Sequence, residues 1–289
     1  MNFRLIGFIL LCWSGFLSSA TAQSDSTLML KYEQYVQDYF GYYERGQADS
    51  AELALRAALL TLPAYEGNFL LEANLAELVV SRGDTLDALG LLTSALNSQP
   101  DLDDVRSRRA ELLGESSRYE DALADLGVLI ERHPRSEVYR YRRALILRET
   151  GLLDGAVTDL RKILEQNPDA YIPRVTLAEI LGEQGSTVQA EQIFARLIEE
   201  YPSEHMASRA LAKHYLKHGQ KAQALETMRK AINSGKRVTA DEYLIRGLVW
   251  LAYGEEHESK RDFGKAKELG ATDEKIYEAK KWLQEIKQR

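Results

Sequence analysis

The sequence predicts an all-α protein, an α-solenoid of about seven helix–turn–helix repeats closed by one further helix. A pattern recurs four times at a step of 34 residues between residues 69 and 204. Within each copy, apolar residues recur at the spacing of amphipathic helices. Glycine and proline recur where those helices would end. A fixed period of this length is typical of an array of similar supersecondary units.

Five columns stay in register over the four copies. Two columns hold small residues, one for each helix: Ala76, Ala110, Ala144, Ala178 and Ala88, Ala122, Ala156, Ala190. The turn column is Gly83, Ser117, Gly151, Gly185, and the large apolar column is Leu92, Leu126, Leu160, Phe194. The last column is Pro100, Pro134, Pro168, Pro202. No insertion separates the copies, so the period indicates one continuous fold.

The copy at residues 137–170 shows why each column exists. Gly151 is expected to end a first helix over 137–149, because glycine adopts the left-handed cap conformation at little steric cost. Asp154 is the expected N-cap of a second helix. Pro168 closes that helix, since proline restricts the residue before it. The alanines are small because the two helices must approach closely, and a larger side chain there would overpack the contact.

These columns resemble the tetratricopeptide repeat, a 34-residue helix–turn–helix unit with small residues in both helices, a glycine at the turn and a proline near its end. The resemblance covers most of the chain and implies a right-handed solenoid. It implies partner binding rather than one specific function, because function resides in sites and not in folds.

The predicted domain boundaries follow the register. The repeats are expected at 32–65, 69–102, 103–136, 137–170, 171–204, 205–238 and 240–272, followed by a capping helix at 273–289. The seventh repeat is degenerate, with Ser259 where alanine is expected. The capping helix begins with Asp273 as its predicted cap. Arrays of this kind need a polar-faced terminal helix to cover the last apolar surface.

Residues 1–22 have the pattern of a cleaved secretory signal peptide. Arg4 gives a basic start, an apolar run covers 5–17, and Ala20-Thr21-Ala22 is a small-x-small cleavage site. The mature chain would begin at Gln23 with a polar leader over 23–31; the alternative is an uncleaved anchor. The single cysteine, Cys12, lies in the apolar run, which leaves the mature chain without thiols. We therefore expect an exported protein, periplasmic or secreted.

Charge is unevenly distributed in a chain whose net charge is −7. Residues 205–289 contain 18 Lys and Arg against 12 Asp and Glu, whereas residues 23–204 contain 18 against 32. Such asymmetry can orient a partner, or it can simply be two solvated surfaces of different charge. An acidic body without a base-reading motif argues against nucleic-acid binding.

The resemblance implies that the first helices of successive repeats line a concave groove. Candidate partner-binding residues along it are Phe40, Tyr43, Asn74, Arg108, Tyr141, Arg142, Arg148, Arg209, Lys213 and Lys217. The same rows contain the acids Glu77, Glu111, Glu179 and Glu183. Tyr141 is the best single anchor, since Tyr and Arg are enriched in interface hot spots.

Two alternatives stay open for this groove. The arginines Arg108, Arg142 and Arg148 can simply pair with Glu111, Glu115 and Glu149 on neighbouring helices, and surface pairs of that kind contribute about 0–1 kcal/mol. Some members of the family capture a partner's C-terminal carboxylate with lysines and asparagines. Asn74 fits one place in such a clamp, but the accompanying lysines are absent, so that activity is not expected.

No catalytic constellation is evident, and no cofactor or metal is expected. His214 and His218 share a helix face, but they lack the HExxH glutamate and a third ligand, so they are interpreted as a surface pair. The sequence thus predicts a non-catalytic scaffold or adaptor that binds a peptide, helix or protein partner in the cell envelope. The alternative is a receptor for a small non-protein ligand, an envelope glycan or a peptide fragment.

Overall fold

The computed structural model describes residues 21–234 and 238–288, and over this part of the chain every regular element is an α-helix. The helices are α1 (Thr21–Glu44), α2 (Ala48–Thr61), α3 (Asn68–Val80), α4 (Thr85–Ser98), α5 (Asp103–Glu115), α6 (Tyr119–Arg132), α7 (Glu137–Glu149), α8 (Leu153–Gln166), α9 (Tyr171–Glu183), α10 (Thr187–Glu200), α11 (Met206–Lys217), α12 (Lys221–Asn233), α13 (Ala240–Tyr253), α14 (Glu256–Glu268) and α15 (Asp273–Lys287). The fold is an all-α helical-repeat solenoid. The described residues divide into two compact units, one up to residue 139 and one from residue 140 onwards, and each is described by itself.

Each predicted repeat contains two helices, an odd-numbered first helix and an even-numbered second helix. Helix α1 is longer than the other first helices, because the segment predicted as a polar leader, residues 23–31, is helical and continuous with it. Residues 1–20, most of the predicted signal peptide, lie outside the described part of the chain. Helix α15 follows the seventh repeat.

The turn inside each repeat requires a left-handed residue. Gly151 has φ 77°, and the next N–H, that of Leu152, donates to the carbonyl of Leu147 at 2.8 Å. This is the predicted glycine cap, and it satisfies a carbonyl that the end of the helix would leave unpaired. Ser117 adopts the same conformation with φ 58°, without the freedom that glycine has.

The predicted N-cap of α8 is wrong. The helix begins directly after the left-handed turn, so that Leu152 is the N-cap and Asp154 already lies in the first turn. There its carboxylate accepts a hydrogen bond of 2.7 Å from Nε2 of Gln184, in the next repeat. The residue therefore links neighbouring repeats instead of capping its own helix.

The alanine columns form the contact between the two helices of each repeat. All eight column alanines are at most 1% exposed, and so are the four residues of the large apolar column, from Leu92 to Phe194. Close packing of this kind leaves no room for an added methylene without strain. In the second unit the buried apolar residues form two clusters, one from Ala144 to Leu211 that includes Ala156 and Phe194, and one from Ala212 to Leu283.

Three repeats also contain an internal arginine–aspartate pair that the sequence analysis missed. Arg143 donates two hydrogen bonds of 2.7 Å to Asp159, whose carboxylate is buried. The equivalent pairs are Arg109–Asp125 and Arg246–Asp262. Repeat 171–204 has Leu177 and Ile193 at these two places. The pair is thus exchanged as a whole, which avoids leaving one buried charge alone.

The end of the solenoid departs from the pattern in two understandable ways. Ser259 replaces an alanine, and its buried hydroxyl donates to the carbonyl of Gly247 at 2.9 Å. Gly247 is required there, because an added Cβ would lie 2.7 Å from the ring of Phe263.

The predicted Asp273 cap of α15 is wrong. Thr272 is the N-cap, and its side chain accepts a hydrogen bond from the N–H of Lys275.

The exchange seen between repeats predicts how the pair contributes to stability. Asp159→Ile should lower the free energy of unfolding by about 3–5 kcal/mol, because it leaves Arg143 partly buried without its partner. The double variant Arg143→Leu/Asp159→Ile copies repeat 171–204 and should recover to within about 1.5 kcal/mol of the wild type. Denaturant unfolding of the three proteins measures both values. Equal losses in the single and double variants would contradict this role of the pair.

Candidate partner-binding surface

In the first unit, the predicted aromatic residues of α1 form a small exposed cluster. Phe40 and Tyr43 are 39% and 59% exposed. Both pack against Tyr39, with ring centroids 4.9 and 5.9 Å away. Tyr39 itself is buried. Its pKa is raised to about 12, mainly by burial and to a smaller extent by the neighbouring Tyr43. The buried ring fixes the positions of the two exposed ones.

Further along the first unit, Arg108 is paired with acids of two first helices. Its guanidinium donates to Glu111 on its own helix at 2.8 Å and to Glu77 on α3 at 2.9 Å. Burial alone would lower the pKa of Arg108, but the two carboxylates outweigh it and raise the pKa. Asn74 lies half-buried on α3. For Arg108 the pairing alternative with Glu111 is correct.

In the second unit, Tyr141 serves in packing as well as on the surface. Its ring is half-buried against the core, and its hydroxyl lies 3.1 Å from Oγ1 of the buried Thr176 on α9. Arg142, the next residue on α7, is also half-buried. Neither residue lines the pocket described below. The predicted anchor thus has its hydroxyl already engaged in a contact between repeats.

The centre of the second unit's surface is a network around Arg148 of α7. Its guanidinium donates to Glu179 at 2.8 Å and to Glu183 at 2.5 Å, both on α9. Burial alone would lower the pKa of Arg148, and the two carboxylates more than compensate and raise it. Glu183 also lies 3.7 Å from Nζ of Lys217 on α11. Arg148 is therefore paired with acids of a neighbouring helix, but these acids are Glu179 and Glu183 of the next repeat and not Glu111, Glu115 or Glu149.

This network forms one wall of a pocket of about 140 Å³, which we call the Lys213 pocket. Its lining comes from α7, α9, α10, α11 and α15: Arg148, Glu179, Gly182, Glu183, Phe194, Ala210, Lys213, His214, Lys217 and Trp282. Three predicted residues, Arg148, Lys213 and Lys217, therefore meet at one place. The sequence did not predict the contribution of Trp282, which α15 supplies.

Lys213 is the distinctive cation of this pocket. Its ammonium lies 5.8 Å from the ring centroid of Trp282, within cation–π range. Among the described residues, no carboxylate comes within ion-pair distance of it. The surrounding protein atoms lower its pKa, Glu179 opposes that shift, and the positive charge of Arg209 adds to it. The pocket therefore presents a cation that has no direct ion-pair partner among the described residues.

His214 forms the floor of the Lys213 pocket and is not the surface residue that we expected. It is only 7% exposed, and its ring fits there because Gly182 has no side chain. A Cβ on Gly182 would lie 2.8 Å from Nδ1 of His214. The Nε2 atom is buried without a hydrogen-bond partner, with the Glu191 carboxylate 3.7 Å away. The glycine at position 182 was the only sign in the sequence that a neighbouring side chain, here His214, could pack closely against α9.

Arg209, the remaining predicted residue, lies outside the pocket. Its guanidinium is paired with Glu242, a carboxylate that is fully buried on α13. Glu242 also accepts from the N–H of Thr239 and completes the cap of its own helix. Arg209 thus holds two neighbouring repeats together.

None of the described helices is long and apolar enough to cross a membrane.

Comparison with known proteins agrees with this architecture. Family models described as tetratricopeptide repeat match residues 107–171 and 147–208. The chain carries tetratricopeptide repeats. The tetratricopeptide repeat is generally a non-catalytic protein-interaction fold, and this fold indicates protein or peptide partners.

Solved structures extend the likeness over most of the repeat array. A tetratricopeptide repeat protein from Parabacteroides merdae is 29% identical, with a TM-score of 0.71 over 88% of this chain and 99% of that chain. The C-terminal part of a repeat-containing protein from Cytophaga hutchinsonii is 14% identical, with a TM-score of 0.58 over 74% and 91%. PilW, a type IV pilus biogenesis factor, is 18% identical, with a TM-score of 0.54 over 72% and 97%. The last two show the fold alone. No curated protein matches the chain.

Burial of His214 predicts a pH dependence of stability. Burial, and then the charges of His218 and Lys217, lower the pKa of His214 to about 4. An unfolded histidine takes up a proton near pH 6.5. Between these values the unfolded chain binds a proton that the folded chain does not. The free energy of unfolding should therefore fall as pH falls from about 6.5 towards 4.

The test compares His214→Leu with the wild type in denaturant unfolding at about pH 7.5 and pH 5. The loss on acidification should be smaller in the variant by roughly 1–2 kcal/mol. His257→Gln is the matched control, because the His257 side chain is 91% exposed. An unchanged pH slope in His214→Leu would mean that His214 does not resist protonation.

Proposed function

We propose that the protein is a non-catalytic interaction scaffold of the cell envelope, which binds a peptide, helix or protein partner on the face formed by its first helices. The Lys213 pocket is the point of recognition. The observation that carries the proposal is Lys213 itself, an ammonium beside an aromatic ring and without an ion-pair partner among the described residues. Export rests on the signal-peptide pattern of residues 1–22.

The size of the pocket favours a macromolecular partner. Cavities that enclose a whole small molecule measure about 300–1,000 Å³. The Lys213 pocket, at about 140 Å³, has room for one side chain or one terminal group. The alternative of a receptor for an envelope glycan or a peptide fragment would need a larger enclosure on this face. A partner that inserts a single group and lies along the neighbouring helices fits the volume better.

The pocket is also rigid enough to select its ligand. Arg148 holds Glu179 and Glu183, and Glu183 faces Lys217, so four charged side chains restrain one another. A partner then has little ordering cost to offset on this side of the interface. Lys213 attracts a negatively charged group of the partner. The carboxylates of Glu179 and Glu183 repel any further negative charge that the partner would place beside them.

A crosslinking pull-down with the mature chain from its native envelope tests the proposal. The double variant Lys213→Gln/Lys217→Gln should capture at least tenfold less of the partner, because it removes both lysine charges of the pocket. The control Lys230→Gln/Lys260→Gln removes two exposed lysines of second helices and should capture as much as the wild type. Cleavage is tested separately: the full-length chain, expressed and recovered from its native envelope, should begin at Gln23.

Two outcomes would contradict the proposal. Equal capture by both double variants would remove the Lys213 pocket from recognition. The absence of any protein partner, together with a rise in melting temperature on adding envelope glycan, would replace the scaffold with a receptor for a small ligand.

A further inference from the structure

Three cations follow one another on α11 at a spacing of four residues, Arg209, Lys213 and Lys217, so they share one face of the helix. Arg209 pairs with the buried carboxylate of Glu242, and Lys217 lies 3.7 Å from Glu183. Lys213, in the middle, has no ion-pair partner among the described residues. Like charges at this spacing repel each other and disfavour the charged form of each. The row therefore favours loss of a proton at Lys213.

The pocket around Lys213 combines apolar walls with access from solvent. Phe194, Ala210 and Trp282 are part of its lining, and the Lys213 ammonium lies 5.8 Å from the ring centroid of Trp282. Lys213 is nevertheless exposed, so a small molecule can reach its nitrogen. A lysine that is partly desolvated and stands beside other cations is activated as a nucleophile, the form that lysine takes in imine-forming sites.

Two carboxylates of other helices oppose this activation without reaching the ammonium. Burial is the main cause that lowers the pKa of Lys213, and Arg209 and Lys217 add to it, whereas Glu179 and Asp241 act in the opposite direction. Glu179 is held at 2.8 Å by an arginine of α7, and Asp241 at 2.6 Å by a lysine of α15. The net result is a lowered pKa and a larger neutral fraction than an ordinary surface lysine has.

The charges of the pocket select the class of electrophile. Carbon dioxide would convert the amine to a carbamate anion beside Glu179 and Glu183, which would repel it. Acylation would remove the positive charge that faces Trp282. An aldehyde instead gives an iminium ion, which keeps the positive charge on nitrogen and so keeps its attraction to the ring and to Glu179. The volume of about 140 Å³ admits an aldehyde of a few carbons.

We infer that Lys213 is a modification site, which reacts with small aldehydes to form an imine. The neutral amine attacks the carbonyl carbon, a C–N bond forms, and the carbonyl oxygen takes up a proton. The resulting carbinolamine loses its hydroxyl as water, and this loss consumes the proton that the ammonium gave up at the start. The product is the protonated imine. Water reverses the reaction, and no oxidant or reductant takes part.

Modification at this nitrogen would also affect partner binding. An aldehyde on Lys213 would fill the space that the inserted group of the partner needs, so the two would compete for the pocket. This consequence rests on the proposed function, whereas the reaction of the lysine does not.

The test traps the imine on the mature chain without any partner. Propanal and sodium cyanoborohydride are added at pH 7, the imine is reduced to a stable propylamine, and mass spectrometry of peptides gives the rate at each lysine. Lys213 should be propylated at least about threefold faster than Lys230 and Lys260, because its neutral fraction is larger. These two are exposed lysines that pair with Glu226 and Glu256. In guanidinium chloride the three rates should become equal, since only the folded pocket distinguishes them.

Two further measurements assign the reactivity to the pocket. Ala210→Leu fills the pocket without changing a charge, so it should remove the advantage of Lys213 over Lys230. A bulky aldehyde, pyrene-1-carboxaldehyde, should likewise show no preference for Lys213 in the wild-type chain. This second probe needs no substitution and therefore does not depend on how well the variant folds.

Equal propylation of Lys213 and Lys230 in the folded chain would overturn the inference. A preference for Lys213 that persists in guanidinium chloride would overturn it too, because local sequence and not the pocket would then be the cause. The same holds for a preference that the bulky aldehyde retains. No partner takes part in these reactions, so their failure is distinguishable from a failure of the pull-down.

Discussion

The close contact of two helices at paired alanines is the constraint on which the rest of this structure depends. Ala144 and Ala156 are fully buried where the two helices of their repeat approach each other. No larger side chain fits there, because protein interiors are closely packed. Repetition of that contact every 34 residues stacks the repeats in a fixed register. A side chain then meets the one about 34 positions later in the sequence. The hydrogen bond between Tyr141 and Thr176, 35 positions apart, is an example.

The Lys213 pocket is a consequence of this register. Arg148 reaches Glu179 and Glu183, which lie 31 and 35 positions later, and Glu183 faces Lys217, 34 positions later. Each charge is held by the repeat before or after it, so the network cannot form within one repeat alone. Helix α15 then adds Trp282 beside Lys213, and the last helix thereby completes a site on the repeats before it.

Repeated features were predictable from the sequence, and unrepeated ones were not. The columns at Ala156, Gly151 and Leu160 predicted the helix pairs and their turns, because every copy has to meet the same packing requirement. The rows of the first helices likewise predicted that Arg148, Lys213 and Lys217 would share a face. The buried Arg143–Asp159 pair could also have been predicted, although it was missed, since arginine and aspartate recur together in three repeats.

Trp282 and His214 could not be found in that way. Trp282 occupies the terminal helix, which has no following copy to compare, and only the path of α15 brings it to Lys213. His214 depends on a single glycine, Gly182, in the neighbouring repeat. The pairing considered from the sequence involved Glu111, Glu115 and Glu149, whereas Arg148 pairs with Glu179 and Glu183 in the next repeat. Contacts between repeats need the register as well as the composition.

The central claim is that the partner is recognised on the first helices of the second unit, at the Lys213 pocket. Hydrogen exchange of the mature chain, alone and with its crosslinked partner, measures this most directly. The account predicts that backbone protection increases in α9, α11 and α15, the helices that contribute Glu183, Lys213 and Trp282. Protection confined to α1–α6, with these three helices unchanged, would contradict it.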